Sequence, residues 1–390
     1  MNATKATTAT PDPQGIRRRL TRWYDEHRRA LPWRETDDPY AIWVSEIMLQ
    51  QTQVDTVIPY YRRFLERFPT VESLSRAPLD EVLKLWENLG YYARVRNLHK
   101  AAGEIVARFQ GRIPERMEEI SRLPGIGRYT AGAILSIAFG RAVPAVDGNV
   151  RRVISRLWAI DEPIDDEKVR ERVEGLAEAL VPTRNPGRFN QALMELGAVC
   201  CTPRSPSCSV CPVRHDCCAL SLGLAHRLPV RLKKKAVPHR EVVAAVIGDG
   251  EGRLLLVQRP SHGLLGSLWK FPGGIVEPPE GREEGLERIV RSELGLRIAV
   301  GPALAAVNHA YTHFRITLTA FSCDLRSGSP TGPTWQWADA DEIEALPLSR
   351  ADRRIARLVV AGPLSEVTTM IDLPGGRDYT TTRKSGLIER

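Results

Sequence analysis

The stretch Leu123-Pro-Gly-Ile-Gly-Arg-Tyr-Thr-Ala-Gly-Ala-Ile134, taken with Val146-Asp147-Gly148-Asn149-Val150 shortly after it, decides how the first half of the chain is read. Pro124 ends any helix before it. Gly125 and Gly127 permit positive φ and close backbone approach, so Leu123 to Gly127 reads as a tight turn between two helices. The second helix is expected to start near Arg128. Its first amides have no intrahelical partner, and with the positive end of the helix dipole they form a seat for a phosphate that needs no side chain. A lone Gly-x-Gly would carry little weight, because a helical turn with a glycine C-cap looks the same.

The chain has 390 residues, long for one domain and comfortable for two. Its net charge of +8 and pI of about 9.2 favour a polyanionic partner. No run of eighteen apolar residues occurs, so no transmembrane helix and no membrane partner is expected. Met1 to Gln14 is rich in Thr, Ala and Pro and lacks an apolar core, which excludes a secretory signal and reads as a disordered tail over residues 1–15 of a cytoplasmic, nucleoid-associated monomer. Seven cysteines, mostly crowded between Cys200 and Cys218, argue against a disulfide framework and for a metal site.

From residue 16 to 225 the apolar spacing is helical. Leu31-Pro-Trp-Arg34 is a structured loop. A helix expected from Tyr40 to Phe64 places Trp43, Ile47, Gln50, Val54 and Ile58 on one face, bordered by Glu46. A carboxyl among apolar neighbours has its pKa raised and can act as a general acid near neutral pH; an arginine-paired structural glutamate is the alternative. Leu89 to Lys100 interleaves Tyr91 and Tyr92 with cations, which suits base stacking and phosphate neutralisation; a helix with buried aromatics and solvated charges is the alternative. A helix over Gly148 to Ile160 carries Arg151, Arg152 and Arg156. The cysteines then read Cys201-x6-Cys208-x2-Cys211-x5-Cys217, four thiolates close enough in sequence to converge on one centre, either zinc or iron–sulfur.

Residues 226–240 hold six Lys or Arg and no acid, a basic linker by composition. Beyond it, over 241–361, the period changes to two. Val242 to Ile247 and Leu254 to Val257 are expected to form a hairpin across Gly248 to Gly252, a helix to span Arg282 to Leu294, and a strand to follow from Phe314. Residues 362–390 show little pattern and read as a tail.

Together these motifs resemble the helix-hairpin-helix superfamily of DNA glycosylases, and within it the adenine DNA glycosylases. The fold class implied is an all-α glycosylase region with an iron–sulfur loop, followed by an α+β Nudix-like domain. Superfamily members that also cut the strand carry a lysine two residues after the last hairpin glycine. Tyr129 stands there, and a phenol forms no imine, so the resemblance implies a monofunctional enzyme. It further implies Glu46 as catalytic acid, Asp147 as the carboxylate that stabilises the sugar cation, and Tyr129 hydrogen-bonded beside them. Trp33, Arg34, Leu49, Gln51, Tyr91 and Gln191 fall at the base pocket and wedge, and Gly125, Gly127 and Arg128 at the DNA backbone. Cys201, Cys208, Cys211 and Cys217 fall at the ligands of a [4Fe-4S] cluster. Tyr311, Thr312 and His313 match the loop that reads 8-oxoguanine opposite the excised adenine in duplex DNA.

The second region matches a Nudix signature at Phe271 to Gly274, Glu280, Arg288, Glu293 and Gly295, but Ile289 and Ser292 replace acids that would hold a divalent ion. A Nudix pyrophosphohydrolase tethered to a DNA-binding module would need that box intact. A noncatalytic DNA-binding protein would need neither Glu46 nor Asp147.

Overall fold

A computed structural model describes residues 11–232, 237–311, 313–332, 334–361 and 369–372. The chain divides into two compact units, Met1–Leu85 with Arg94–Lys234, and Trp86–Ala93 with Lys235–Arg390.

The first unit is helical: α1 (Pro13–His27), α2 (Pro39–Leu49), α3 (Val54–Arg67), α4 (Val71–Arg76), α5 (Leu79–Leu85), α6 (Ala93–Phe109), α7 (Met117–Ile120), α8 (Arg128–Ile137), α9 (Gly148–Leu157), α10 (Glu167–Leu180), α11 (Pro186–Glu195) and α12 (Cys218–Ser221). Aspartates start several of them. Asp12, Asp38, Asp147 and Asp166 each accept a hydrogen bond from first-turn amides, and proline follows directly at α1 and α2. The core forms where apolar residues three and four apart meet: Val150, Val153, Ile154 and Leu157 of α9 pack with Ile16 and Leu20 of α1, Val169 and Val173 of α10, and Phe189 and Leu193 of α11. Burying side chains of this size contributes roughly 1.5–3 kcal/mol each.

Small residues let α8 sit close to its neighbours. A Cβ at Gly132 would stand 2.1 Å from the Pro144 carbonyl oxygen, and one at Gly187 would stand 2.4 Å from that of Ser136. The buried Asn190 amide fixes the connection to α9, donating to the Val143 carbonyl (2.8 Å) and Ser136 Oγ (2.9 Å) and accepting from the Ala145 amide (3.3 Å). That connection delivers Asp147 to the start of α9.

Three sequence expectations for this unit differ from the structure. The single helix over Tyr40 to Phe64 is broken into α2 and α3, with Gln51 in the left-handed region at φ 59°. The cause lies elsewhere in the chain. Arg94 donates to the carbonyls of Ile47 (2.8 Å), Met48 (2.8 Å) and Gln50 (2.6 Å), which caps α2 and frees its end from helical bonding. Trp43, Ile47 and Gln50 are therefore separated from Val54 and Ile58. The helix after Asp147 ends at Leu157 rather than Ile160, with Ala159 at φ 49°. At the N-terminus α1 begins at Pro13, inside the stretch read as tail; residues 1–10 lie outside the described ones.

The second unit contains a five-stranded sheet ordered β4-β1-β6-β5-β8 and a three-stranded sheet ordered β3-β2-β7. The strands are β1 (His239–Ile247), β2 (Leu254–Gln258), β3 (Trp269–Lys270), β4 (Gly273–Val276), β5 (Arg297–Ala310), β6 (Arg315–Ser327), β7 (Trp335–Ala338) and β8 (Thr369–Asp372), with α13 (Arg282–Leu294), α14 (Ala340–Ala345) and α15 (Arg350–Ala361). The expected hairpin of β1 with β2 does not form. β1 pairs antiparallel with β4 and parallel with β6, while β2 pairs with β3 and β7; between β1 and β2 the turn is closed by a bridge of Gly248 with Leu254 and the Asp249 amide donating to the Arg253 carbonyl (3.2 Å). β1 is buried on both faces, so it has to be central: Ala244 and Val246 enter one core, and Val243, Ala245 and Ile247 the other. The second core takes Leu286, Val290 and Leu294 of α13, whose span is the expected one and which ends at Gly295 with φ 70°. β8 pairs with β5 inside the stretch read as tail, and residues 362–368 and 373–390 lie outside the described ones.

The two acids of the partial Nudix signature are already paired. Glu280 accepts from Arg288 Nε (2.6 Å) and Nη2 (2.7 Å), and the buried Lys270 ammonium lies 2.9 Å from Glu293 Oε1 and donates to Oε2 at 3.0 Å. Among the described residues no three His, Cys, Asp or Glu side chains are grouped to hold a single metal ion.

The α8 contact makes a prediction. Gly132→Ala should lower stability by about 1–3 kcal/mol in urea unfolding, because a backbone carbonyl has to move. Gly127→Ala, whose added Cβ meets nothing within 4 Å, should stay within about 0.5 kcal/mol of the parent. Equal midpoints for the two variants would show that the α8 packing is loose.

Candidate active site

α2, α8, α9 and α11 bring four of the expected residues into one region of the first unit. Glu46 lies inside α2 and is buried at 5 % exposure. Burial disfavours its charged form and pushes its pKa up to about 7; the Tyr129 hydrogen bond and the Arg34 charge oppose this, and the Asp147 charge adds to it. Tyr129 is the second residue of α8. Its hydroxyl donates to Glu46 Oε2 and lies 3.6 Å from Met194 Sδ. Desolvation first, and then the two nearby carboxylates, hold the phenol well above its ordinary range.

Asp147 caps α9; its Oδ1 accepts from the Val150 amide (2.7 Å) and its Oδ2 from Asn149 Nδ2 (2.8 Å), and the Asn149 backbone adds a further hydrogen bond. Burial raises its pKa, and these bonds limit the rise. The two carboxyls thus differ in kind. Glu46 meets one hydroxyl in an apolar setting, whereas Asp147 has donors that favour its ionised form.

A buried ion cluster frames them. Glu195, at the end of α11, accepts from Arg29 Nη2 (2.7 Å) and Arg34 Nη2 (2.8 Å). Burial would raise the Glu195 pKa, but the Arg29 and Arg34 hydrogen bonds overcome it and hold it down at about 2. Gln191 Oε1 accepts from Tyr24 OH (2.9 Å). Trp33 is buried with its ring edge-on to Tyr61 at 5.4 Å. Leu49 is half-buried at the end of α2, and Gln51 is exposed beyond it.

At the hairpin the two glycines differ. Gly125 takes φ 77°, and an added Cβ would stand 2.8 Å from Asn97 Cβ; Gly127 is the N-cap of α8 at φ −88° and does not use positive φ. What Gly127 contributes is an open face beside the first amides of the helix. Arg128 is exposed and paired with Glu174 at 2.8 Å.

The cysteine loop is anchored by two arginines that the sequence reading treated only as charges on a helix. Arg152 donates to the carbonyls of Cys201 (2.7 Å) and Gly197 (2.6 Å), and Arg156 to those of Thr202 (2.7 Å), Pro203 (3.0 Å) and Leu228 (2.9 Å) and to Cys201 Sγ (3.2 Å). Their spacing of four on α9 was the one available signal. The thiols of Cys201, Cys208, Cys211 and Cys217 lie within one another's electrostatic range and none forms a disulfide; burial raises Cys201, Cys208 and Cys217, the last to about 12, while Cys211 is raised by its hydrogen bond with Cys200 and then by burial. Four desolvated sulfurs with guanidinium N–H groups at one of them form a donor set that fits a polynuclear iron centre, whose positive charge would favour the thiolates.

In the second unit Tyr311 stacks edge-on to His309 at 4.6 Å and lies 4.9 Å from Phe314, and His313 is exposed; Thr312 lies outside the described residues. Tyr91 stands partly exposed in a turn at φ 50°.

Comparison with known proteins agrees with this geometry. Residues 44–179 match the HhH-GPD superfamily base excision DNA repair protein, residues 201–217 the iron-sulfur binding domain of endonuclease III, and residues 243–358 the NUDIX domain. A solved thermostable thymine-DNA glycosylase is 30 % identical and covers 54 % of this chain and 97 % of its own, with a TM-score of 0.50. The adenine DNA glycosylase of Homo sapiens is 38 % identical over 87 % of this chain and 73 % of its own length, and that of Rattus norvegicus 37 % identical over 89 % and 78 %. The chain therefore belongs to the adenine DNA glycosylases, enzymes of base excision repair, and carries a [4Fe-4S] cluster.

Proposed function

We propose that this glycosylase excises adenine mispaired with 8-oxoguanine, and more slowly with guanine, leaving an abasic site without cutting the strand. The observation that carries the chemistry is Glu46, a buried carboxyl with a pKa of about 7, next to an Asp147 whose hydrogen bonds favour ionisation. Adenine in a duplex is out of reach, so it is flipped into the pocket, with Leu49 and Gln51 at the wedge and phosphates on the amides after Gly125 and Gly127. Trp33, Arg34 and Gln191 border the base, with Gln191 oriented by Tyr24. Glu46 gives its proton to an adenine ring nitrogen as the glycosidic bond breaks. Asp147 stabilises the positive sugar, and water completes the reaction. Tyr129 holds the Glu46 carboxyl in place and offers no amine for a Schiff base. Cys201, Cys208, Cys211 and Cys217 hold the cluster, whose role is to order the loop after α11.

Recognition of the opposite base is assigned to Tyr311, Thr312 and His313. Adenine is a normal base, so the choice of which adenine to remove has to come from the other strand. Incubating duplexes with adenine opposite 8-oxoguanine, guanine or thymine, followed by alkali, tests the whole reading; equal rates on all three would refute it.

The carboxyls predict a pH profile. Glu46 works protonated, so single-turnover excision should fall as pH rises through about 7. Glu46→Gln and Asp147→Asn should each lose most turnover while keeping mismatch affinity, which phosphate contacts supply. Stability should also fall with rising pH, beginning at lower pH. The folded pKa exceeds the ordinary 4.5, so the native state binds more protons between pH 4.5 and about 7 and loses stability as pH rises through that window; Glu46→Gln should therefore unfold at higher temperature than the parent above pH 7.

Replacing any of the four cluster cysteines by serine should lower iron content and visible absorbance, whereas Cys200→Ser and Cys218→Ser should retain both. Colourless, active parent protein carrying about one zinc per chain would overturn the ligand assignment. For lesion reading, His313→Ala with Thr312→Ala should narrow the preference for 8-oxoguanine over guanine by roughly ten-fold, as hydrogen bonds to a base edge discriminate by that order.

A further inference from the structure

The segment Trp86–Ala93 sits in sequence among the helices of the first unit, yet it packs as part of the second. One buried ion pair fastens it there. Arg353 of α15 donates through Nε to Glu87 Oε1 (2.7 Å) and through Nη2 to Oε2 (3.3 Å), with both side chains under 10 % exposed. Arg353 also holds the Ile343 carbonyl (2.7 Å), the Leu346 carbonyl and Glu344 (3.1 Å), so its fork is locked within the second unit before it reaches Glu87.

Over the four residues after Glu87 the backbone is constrained. Asn88, Gly90 and Tyr91 take φ 73°, 74° and 50°, and a bulky residue such as tyrosine adopts the left-handed region only when its surroundings over-determine it. The turn is closed by Trp86 Nε1 donating to the Gly90 carbonyl (3.1 Å) and the Asn88 amide donating to Tyr92 OH (3.2 Å). Within the same unit a cavity of about 260 Å³ is lined by Asn88, Tyr91 and Tyr92 together with His309, Tyr311 and Arg350. Tyr311 belongs to the loop assigned above to lesion reading. The next residue after the segment is Arg94, which caps the helix of Glu46.

We propose that Glu87 and Arg353 are positioning residues, which hold Tyr91 in its strained turn beside Tyr311 and so set the preference for the base opposite the excised adenine. The proposal rests on the reading that this region recognises the lesion. The physical reason is that a bidentate, buried pair fixes both position and orientation, whereas a chain held only by its turn would let the tyrosine swing.

Glu87→Ala is the variant to make, because Arg353 keeps its three other acceptors and the second unit retains its fold; thermal unfolding checks this. Single-turnover rates are measured on adenine opposite 8-oxoguanine and opposite guanine. The expected result is a preference ratio narrowed about ten-fold with the guanine rate changed less than about two-fold, and no further narrowing when Glu87→Ala is added to Tyr91→Ala, the non-additivity of residues acting as one unit. Glu87→Gln, which keeps an acceptor for the guanidinium, should fall between. Parallel loss on both duplexes, or independent effects of Glu87→Ala and Tyr91→Ala, would overturn the positioning role. So would an unchanged ratio in Glu87→Ala, and here His313→Ala separates the two ideas: a narrowed ratio in that variant leaves lesion reading standing and removes only the role of Glu87, while an unchanged ratio in both removes the lesion reading as well.

Discussion

Removing two carboxyls from water in one small region is the constraint on which the first unit depends. Glu46 is buried with one hydroxyl donor and is pushed up to about 7, while Asp147, buried beside it, receives a backbone amide and a side-chain amide. Two ionised acids in such a place would repel and pay heavily for desolvation; giving them unlike partners lets one stay protonated and the other charged. That difference is created by secondary structure. Asp147 has amide donors because it begins a helix, and Glu46 lacks them because it lies inside one.

Holding both acids still requires the surrounding elements to be rigid, and arginines do much of this. Arg94 ends α2 three residues after Glu46 becomes fixed in it, Arg29 and Arg34 neutralise Glu195 at the end of α11, and Arg152 and Arg156 tie the cysteine loop to α9, the helix that Asp147 caps. A planar fork with several donors suits this work, since one side chain can satisfy three or four carbonyls that no helix or sheet would use. Arg152 and Arg156 are buried, so their charge is not available at the surface. A net charge of +8 still favours DNA, but the arginines nearest the site serve the protein's own backbone.

What could be read from sequence follows from how local the cause is. The start of α8 at Arg128, the start of α9 at Gly148 and the span Arg282 to Leu294 of α13 each rest on residues within a turn of the boundary, and each appears as expected. The break after Leu49 could not be read, because the arginine that causes it stands 44 to 47 residues along the chain from the carbonyls it takes. Strand pairing failed for the same reason. A glycine-rich turn after Ile247 suggests a hairpin, but the partners of β1 are chosen by burial on both faces, against strands far along the chain. At the site, residue identities such as Glu46, Tyr129 and Asp147 came from motifs, whereas Tyr24 and Glu195, which hold the neighbouring side chains, carry no pattern of their own.

The second unit shows the same economy of charge applied to a lost metal box. With Ile289 and Ser292 in place of acids, one carboxylate of the signature helix end, Glu293, would be left half-buried without a counter-ion. Lys270 supplies one. Its ammonium reaches both Glu293 and the Gly273 carbonyl, and desolvation lowers its pKa while the Glu293 charge resists that fall. An ammonium on a flexible stem can meet a carboxylate and a carbonyl at once, but it cannot polarise a phosphate or activate water as a divalent ion does. The sheet, α13 and their shared core thus form with Glu293 of the signature paired to a lysine rather than left as an unpaired buried charge.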